Sequence, residues 1–364
     1  MFDTRAVSRR IALWLVVASA CYSPTLRSGS PCEDDRGCPT PLVCFAGTCQ
    51  SPGEIGTSAP DASPVDSAAD AAIDGAPADA IADAAPDCGG QPCEPNDQLA
   101  GAIDVTGGGT FTADLLRAHD DLANNGCNLD GGAEVFYQVE LAAPEVYYFD
   151  TFTTTFDTSL RVFPGVPCLQ VTSALEPACD DDECSSDQSQ LAVALPIGQS
   201  CVAVDKNYNL GHQADQGVFQ LHVVAGKRTG IALPRGVHML TGDTCTGAST
   251  SEPPTAACSG PQHAKDLAYF FTACPATPAT VDASTCDDVT MTHFDTELYA
   301  EAVDGTSLGC VDDTPSCPAR PDRQDGQPDG SKLTVTTTAT GLHWLVIDGF
   351  RGACGGYQLD TNYR

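Results

Sequence analysis

Ser307 stands in Gly305-Thr306-Ser307-Leu308-Gly309, the G-x-S-x-G spacing of a hydrolase nucleophile elbow. That elbow works because a tight strand-to-helix turn of an α/β sheet exposes the serine hydroxyl beside an oxyanion hole. Here the pentapeptide runs directly into Cys310 in a segment without helical periodicity, so the spacing is read as coincidence. The seven histidines, at 119, 212, 222, 238, 263, 293 and 343, show no His-Glu-x-x-His or other zinc spacing. His222 and His343 fall on predicted strands and are expected to face solvent. Asp322, Asp325 and Asp329 lie in a Gly- and Pro-rich stretch that lacks the order of an EF-hand loop and read as a solvated turn. With 49 Asp+Glu in the chain, neighbouring carboxylates carry no information about acid–base catalysis. The expectation is a protein that is not an enzyme.

The cysteines are the stronger chemistry. Nineteen of them in 364 residues point to an oxidising compartment outside the cytosol, where thiols persist as pairs. The N-terminus agrees. Arg5, Arg9 and Arg10 precede an apolar run from Ile11 to Ala20, and Ala18-Ser19-Ala20 offers a small-residue cleavage site, so residues 1–20 read as a signal peptide. Ten apolar residues are too few to span a bilayer. Small residues followed by Cys21 look like a bacterial lipobox, with Ala18 where Leu is usual; ordinary cleavage before Cys21 is the alternative. Parity favours acylation, since removing Cys21 from nineteen leaves an even number. With Tyr22 next, such an anchor is expected in the outer membrane, the chain exposed at the surface; a periplasmic or secreted protein is the alternative. Cys32, Cys38, Cys44 and Cys49 fill a small module, 21–50, whose gaps suit two disulfides better than a zinc site.

Residues 51–87 collapse to Ala, Asp, Pro, Ser and Gly, with little to fold around, and read as a disordered acidic tether. As a flexible coil it would span about 30–35 Å, lengthened by Pro and charge repulsion. The whole chain has 17 Lys+Arg against 49 Asp+Glu. Without residues 1–20 the balance is 14 against 48, or −34. Such a surface repels nucleic acid, so no nucleic-acid partner is expected, and it touches a membrane only through a lipid.

Beyond the tether one block occurs twice. Glu134-Val135-Phe136-Tyr137, Phe156-Asp157-Thr158-Ser159-Leu160, Cys179-Asp180-Asp181-Asp182, Leu191-Ala192-Val193, Val202-Ala203-Val204-Asp205 and Gly217-Val218-Phe219-Gln220-Leu221 are answered in order. The second copy reads Asp266-Leu267-Ala268-Tyr269-Phe270-Phe271, Phe294-Asp295-Thr296-Glu297-Leu298, Cys310-Val311-Asp312-Asp313, Leu333-Thr334-Val335, Leu345-Val346-Ile347-Asp348 and Gly356-Tyr357-Gln358-Leu359. Six matched landmarks mean a duplicated module with two cores. Period-two alternation, as in Phe219, Leu221 and Val223, predicts short strands between Gly-, Pro- and Asp-rich turns. The expected fold is all-β: two tandem antiparallel, jelly-roll-like sandwiches at 88–226 and 230–364, after the linker and the disulfide-rich module.

Each half carries seven cysteines, which requires either a bridge between halves or a free thiol in each. Trp344 stands where the first copy has Cys201, so Cys201 is expected to be an unpaired core residue. Cys179 with Cys184 and Cys310 with Cys317 are the expected local pairs, each pinning an acidic loop.

Glu94-Pro95-Asn96-Asp97, the Phe-Asp-Thr-x-Leu and Cys-x-Asp-Asp segments and the terminal Gly-x-x-Gln-Leu resemble the bacterial pre-peptidase C-terminal domain, a relative of the collagen-binding domains of collagenases. That resemblance implies a non-catalytic β-sandwich appendage of exported proteins. It also implies Ca2+ on Glu94, Asn96 and Asp97, although Pro92 stands where a further ligand Glu would be, and a plain turn fixed by Pro95 is the competing reading. Asp114, Asp120 and Asp121 lie in a region where further ligands would fall. The expected function is non-catalytic binding or adhesion to an extracellular polysaccharide or protein. The alternatives are an accessory to a separately encoded secreted hydrolase, or a hydrolase.

Overall fold

The computed structural model describes residues 43–45, 48–50, 87–88, 90–122, 132–175, 177–182, 184, 187–207, 217–249, 258, 264–286, 294–319 and 329–364. The expected signal peptide, Cys21, Cys32, Cys38 and nearly all of the linker lie outside the described residues. Two compact units divide the chain, Met1–Asp79 and Ala80–Arg364. In the first, β1 (Val43–Phe45) and β2 (Thr48–Gln50) pair antiparallel, with Cys44 opposite Cys49.

The second unit begins with a short hairpin, β3 (Asp87–Cys88) and β4 (Gln91–Pro92), turned at Gly90, whose φ of 88° suits a residue without Cβ. Nine strands then form a sandwich: β5 (Ile103–Asp104), β6 (Gly109–Asp114), β7 (Glu134–Leu141), β8 (Glu145–Asp150), β9 (Thr158–Phe163), β10 (Ala178–Asp180), β11 (Gln190–Leu195), β12 (Gly198–Lys206) and β13 (Val218–Ala225). Nine more form another: β14 (Ile231–Ala232), β15 (Gly236–Asp243), β16 (Leu267–Ala273), β17 (Ala279–Ser284), β18 (Thr296–Ala302), β19 (Ser307–Asp312), β20 (Lys332–Thr337), β21 (Gly341–Gly349) and β22 (Gly356–Tyr363).

The first sandwich has sheets ordered β10-β9-β12-β7-β5 and β11-β8-β13-β6; the second has β19-β18-β21-β16-β14 and β20-β17-β22-β15. The two agree strand for strand, down to the parallel pairing of a two-residue strand with β7 in one and β16 in the other. Alternation does what the pattern requires: in β13 Phe219, Leu221 and Val223 are buried while Gln220 and His222 are exposed. Each core lies between its own sheets, with Tyr137, Phe149, Leu160, Val204 and Leu221 in the first and Tyr269, Val281, Leu298, Ile347 and Leu359 in the second.

A third apolar cluster joins the sandwiches. Val146 and Tyr148, on the outer face of β8, pack with Phe270, Tyr299, Leu342, Trp344 and Val346 on the outer face of the second five-stranded sheet. The connecting segment closes over this cluster. A Cβ on Gly226 or Gly230 would lie 2.9 Å or 2.6 Å from the Trp344 ring, and Arg228 stacks on that ring at 4.9 Å while pairing with Glu301. Cys184–Cys274 ties the two sandwiches covalently.

That bridge corrects the expected cysteine pairing. Cys184 joins Cys274, Cys310 joins Cys258 and Cys317 joins Cys286; Cys179 is also disulfide-bonded. Cys201 is paired as well, with Cys168. Both it and Trp344 sit on the outer face of a five-stranded sheet, away from the sandwich core. Cys201 packs with Phe136, Phe163, Cys168 and Ala203 beneath a local loop, whereas Trp344 packs beneath the other sandwich. In the loop-entropy account, bridges closing 5 residues (Cys88–Cys93) and 109 residues (Cys245–Cys354) differ in worth, at about 2 and 5 kcal/mol.

Candidate functional site

At one end of each sandwich the chain makes the same buried hydroxyl network. In the first copy Thr151 Oγ1 lies 2.6 Å from Thr158 Oγ1, the Ser189 N–H donates to Thr151 Oγ1, and the Ser189 hydroxyl donates to the Thr158 carbonyl. In the second, Thr285 Oγ1 lies 2.7 Å from Thr296 Oγ1, with Ser331 in the place of Ser189. Buried hydroxyls persist only when bonded, and these satisfy one another while fixing three strand ends.

The network positions an acidic triad beside it. Asp157, one residue before Thr158, meets Asp181 and Asp182; Asp295, one residue before Thr296, meets Asp312 and Asp313. Within each triad the carboxylate oxygens lie within 4.8 Å of one another. Burial, then repulsion from Asp157, Asp182 and Asp180, pushes the Asp181 carboxyl up to about 7, although Asn207 Nδ2 donates to it. Sequence repetition marked both acidic segments. Thr151 and Thr285 are not legible in the sequence, because a single threonine after Asp150 or Ser284 carries no local signal.

A second buried polar group lies on the outer face of the first five-stranded sheet. Arg161 is fully buried and pairs with Asp205. Glu134 accepts the N–H groups of Asp121 and Leu122, and its carboxyl is pushed up to about 9 by burial and by Asp205. In the second copy Tyr299 holds the position of Arg161 and packs against the first sandwich instead.

Glu94, Asn96 and Asp97 come together at the corner before β5, where each is engaged by protein. Glu94 pairs with Arg117 at 3.2 Å, and Asn96 Nδ2 donates to the Phe136 carbonyl at 3.1 Å. Asp97 Oδ1 accepts the His119 N–H, and Oδ2 lies 2.9 Å from His119 Nδ1. Asn96 turns only its Nδ2 to that carbonyl and leaves its buried Oδ1 without a hydrogen-bond partner, while the Glu94 and Asp97 carboxylates meet Arg117 and His119. Asp114 caps Leu116 N–H and Asp121 accepts from Gln98.

Ser307 opens the second strand of the β18–β19 hairpin, where Asp304 Oδ1 accepts the Thr306 N–H, so the pentapeptide is an antiparallel turn and has no helix after it. His222 is half exposed and faces Asp150 at 3.0 Å. His343, expected at the surface, is buried on the central strand β21 against Phe271, with Nε2 2.7 Å from the Ala339 carbonyl; burial lowers its pKa. A shallow cleft of about 270 Å³ runs between the sandwiches past Asp180, Gln190, Arg235, Phe271 and Tyr363. Among the described residues no helix is long and apolar enough to cross a membrane.

Fold and disulfides together define a bridged pair of β-sandwiches of an exported protein. No protein family and no curated protein matches the chain. Among solved structures it is similar to a surface-associated copper-binding protein of Methylomicrobium album BG8, at 10% identity over 37% of this chain and 97% of that one, with a TM-score of 0.21. It is also similar to the CUB1-EGF-CUB2 domains of rat MASP-1, at 9% identity over 72% and 99%, TM-score 0.20. The extracellular domain of ANXUR2 from Arabidopsis thaliana aligns at 7% identity over 70% and 88%, TM-score 0.20. Likeness at this level extends no further than layered β-sheets.

Proposed function

We propose that this chain is a non-catalytic surface module that binds an extracellular polysaccharide or protein through its two acidic loops. The observation that carries this is the duplication of one loop, with its hydroxyl network, on two sandwiches fixed to each other by an apolar interface and a disulfide. Two equivalent sites held at fixed spacing engage a repeating polymer with little further loss of freedom, so avidity comes from geometry. Carboxylates accept hydrogen bonds from sugar hydroxyls and from cationic protein groups alike, and the array below separates those ligands.

The test is a glycan and matrix-protein array probed with the full oxidised chain, beside Asp181→Asn, Asp312→Asn and the double variant. A tenfold or greater loss of affinity in each single variant, and far more in the double, supports bivalent recognition. Binding that ignores both changes ends the proposal. Acylation of Cys21 in an outer-membrane anchor belongs to the same reading, and a free amino group on Cys21 in the mass spectrum of the mature chain would end that part.

A further inference from the structure

We infer that Cys88, Cys93, His119 and Asp97 form a redox-gated site for a borderline-soft divalent metal ion of the zinc class. Their four donor atoms lie within 4.8 Å of one another. His119 Nδ1 is 3.5 Å from Cys88 Sγ, 4.0 Å from Cys93 Sγ and 2.9 Å from Asp97 Oδ2. Bond lengths of about 2.0–2.3 Å in a tetrahedral zinc site place neighbouring donors about 3.3–3.8 Å apart. The imidazole nitrogen therefore already stands near ligand spacing from all three partners. Two sulfurs, one nitrogen and one oxygen select zinc-like ions over calcium or magnesium.

The Cys88–Cys93 disulfide closes the gate. A metal takes the thiolate form of cysteine, so the oxidised site offers only His119 and Asp97, which are engaged with each other. A dithiol reductant opens it. The reductant's thiolate attacks Cys93 Sγ, the more exposed sulfur, and Cys88 leaves as thiolate. The second reductant thiol then forms the reductant's own disulfide and frees Cys93. Two electrons pass to the Cys88/Cys93 pair, and the protons of the two thiols go to water when the metal binds.

The fold lets this bridge open ahead of the other described bridges. It lies in the β3–β4 hairpin, belongs to neither sandwich core, and closes 5 residues, whereas the remaining described bridges close 31 to 109. Hydrogen bonds hold the corner without it. Arg117 Nε donates to the Pro92 carbonyl, Glu94 N–H to the Arg117 carbonyl, and Glu134 N–H to the His119 carbonyl. The His119 side chain is 44% exposed, so an ion has access. The matching corner of the second sandwich, where Asp243 caps as Asp114 does, holds the long Cys245–Cys354 bridge, so this corner supplies one thiolate site per chain.

The experiment uses the full chain, treated with graded dithiothreitol under anaerobic conditions, with alkylation and mass mapping of the cysteines. Cobalt(II) is the probe. Cys88 and Cys93 should be alkylated first, and the reduced chain should bind one Co2+ with a thiolate-to-cobalt charge-transfer band that zinc displaces. The oxidised chain should bind at least a hundredfold more weakly, and His119→Ala should weaken the reduced site at least tenfold. A Cys88→Ser/Cys93→Ser chain should melt cooperatively and show no such band. Earlier opening of another disulfide, cobalt binding without the band, equal binding by the double serine variant, or failure of that variant to fold would each overturn the inference.

Discussion

Replacing Trp344 by alanine tests whether the two sandwiches form one cooperative body. The side chain is fully buried, edge-on to Phe270 at 6.2 Å, beneath Arg228 and between the backbones of Gly226 and Gly230. A buried tryptophan hides about 200 Å² of apolar surface, worth about 5 kcal/mol at 25 cal/mol per Å². Partial collapse of neighbours brings the expected loss to about 3–5 kcal/mol. For a unit of this size that is a fall in melting temperature of roughly 6–15 °C, read by circular dichroism on the oxidised chain. Because Cys184–Cys274 remains, the sandwiches stay tethered and the loss reports packing alone. Tyr148→Ala on the facing sheet supplies the second arm of a double-mutant cycle, with an expected coupling of about 1 kcal/mol or more. A Trp344→Ala melt within 2 °C of wild type, or strict additivity with Tyr148→Ala, would refute a shared core.

The Asp181 carboxyl, raised to about 7, binds a proton in the folded chain across a window where the unfolded chain, near 3.9, has lost it; stability should therefore fall as pH rises from about 4 to 7. Asp181→Asn should gain about 1 kcal/mol at pH 8, a figure reduced for solvent screening of a half-buried group, and gain nothing at pH 4; denaturant melts showing no pH-dependent difference would contradict the triad's repulsion. Thr158→Val and Thr296→Val should each cost about 1–2 kcal/mol in the same melts, because each removes the hydroxyl contact the two networks share, with Thr296 the costlier since its hydroxyl also meets the Asp329 carbonyl; a larger cost at Thr158 would contradict this.

Much of this architecture is legible in the chain. Period-two alternation gives the strands, and the spacing of Phe-Asp-Thr and Cys-x-Asp-Asp gives the duplicated loops, because both are local patterns set by one face of one strand. Disulfide connectivity is not local. Cys179 and Cys184 look like a pair by separation, yet Cys184 points across the interface to Cys274, and nothing between the two encodes that contact. Burial on both faces is equally hidden. His343 shares the inner face of β21 with Leu345 and Ile347 and stacks on Phe271, while Leu342, Trp344 and Val346 fill the outer face, so alternation loses its meaning there. The partners of the Glu94–Asp97 tetrapeptide are hidden in the same way, since Arg117 and His119, some 20 residues on, reach its carboxylates.

The differences between the copies follow from covering sheets, and recognition of a ligand need not explain them. Each five-stranded sheet has an apolar outer face that must be hidden. The first copy hides its own, with a local loop pinned by Cys168–Cys201. The second borrows the outer face of β8, β11 and β13, where Val146, Tyr148, Ala192 and Val224 pack around Trp344. At the equivalent places on its own outer face the second copy carries Thr280, Asp282, Thr334 and Asn362. Those side chains bond among themselves, Thr280 to Thr336 and Thr334 to Asp282, with Arg364 also on Asp282. A third sandwich would find no apolar face there to rest on. That face is polar, as the outer faces of terminal units in stacked repeats are. Cys201 and Trp344 are thus two answers to one packing problem, and what the copies share, the acidic loop on its hydroxyl network, is the better place to look for a ligand.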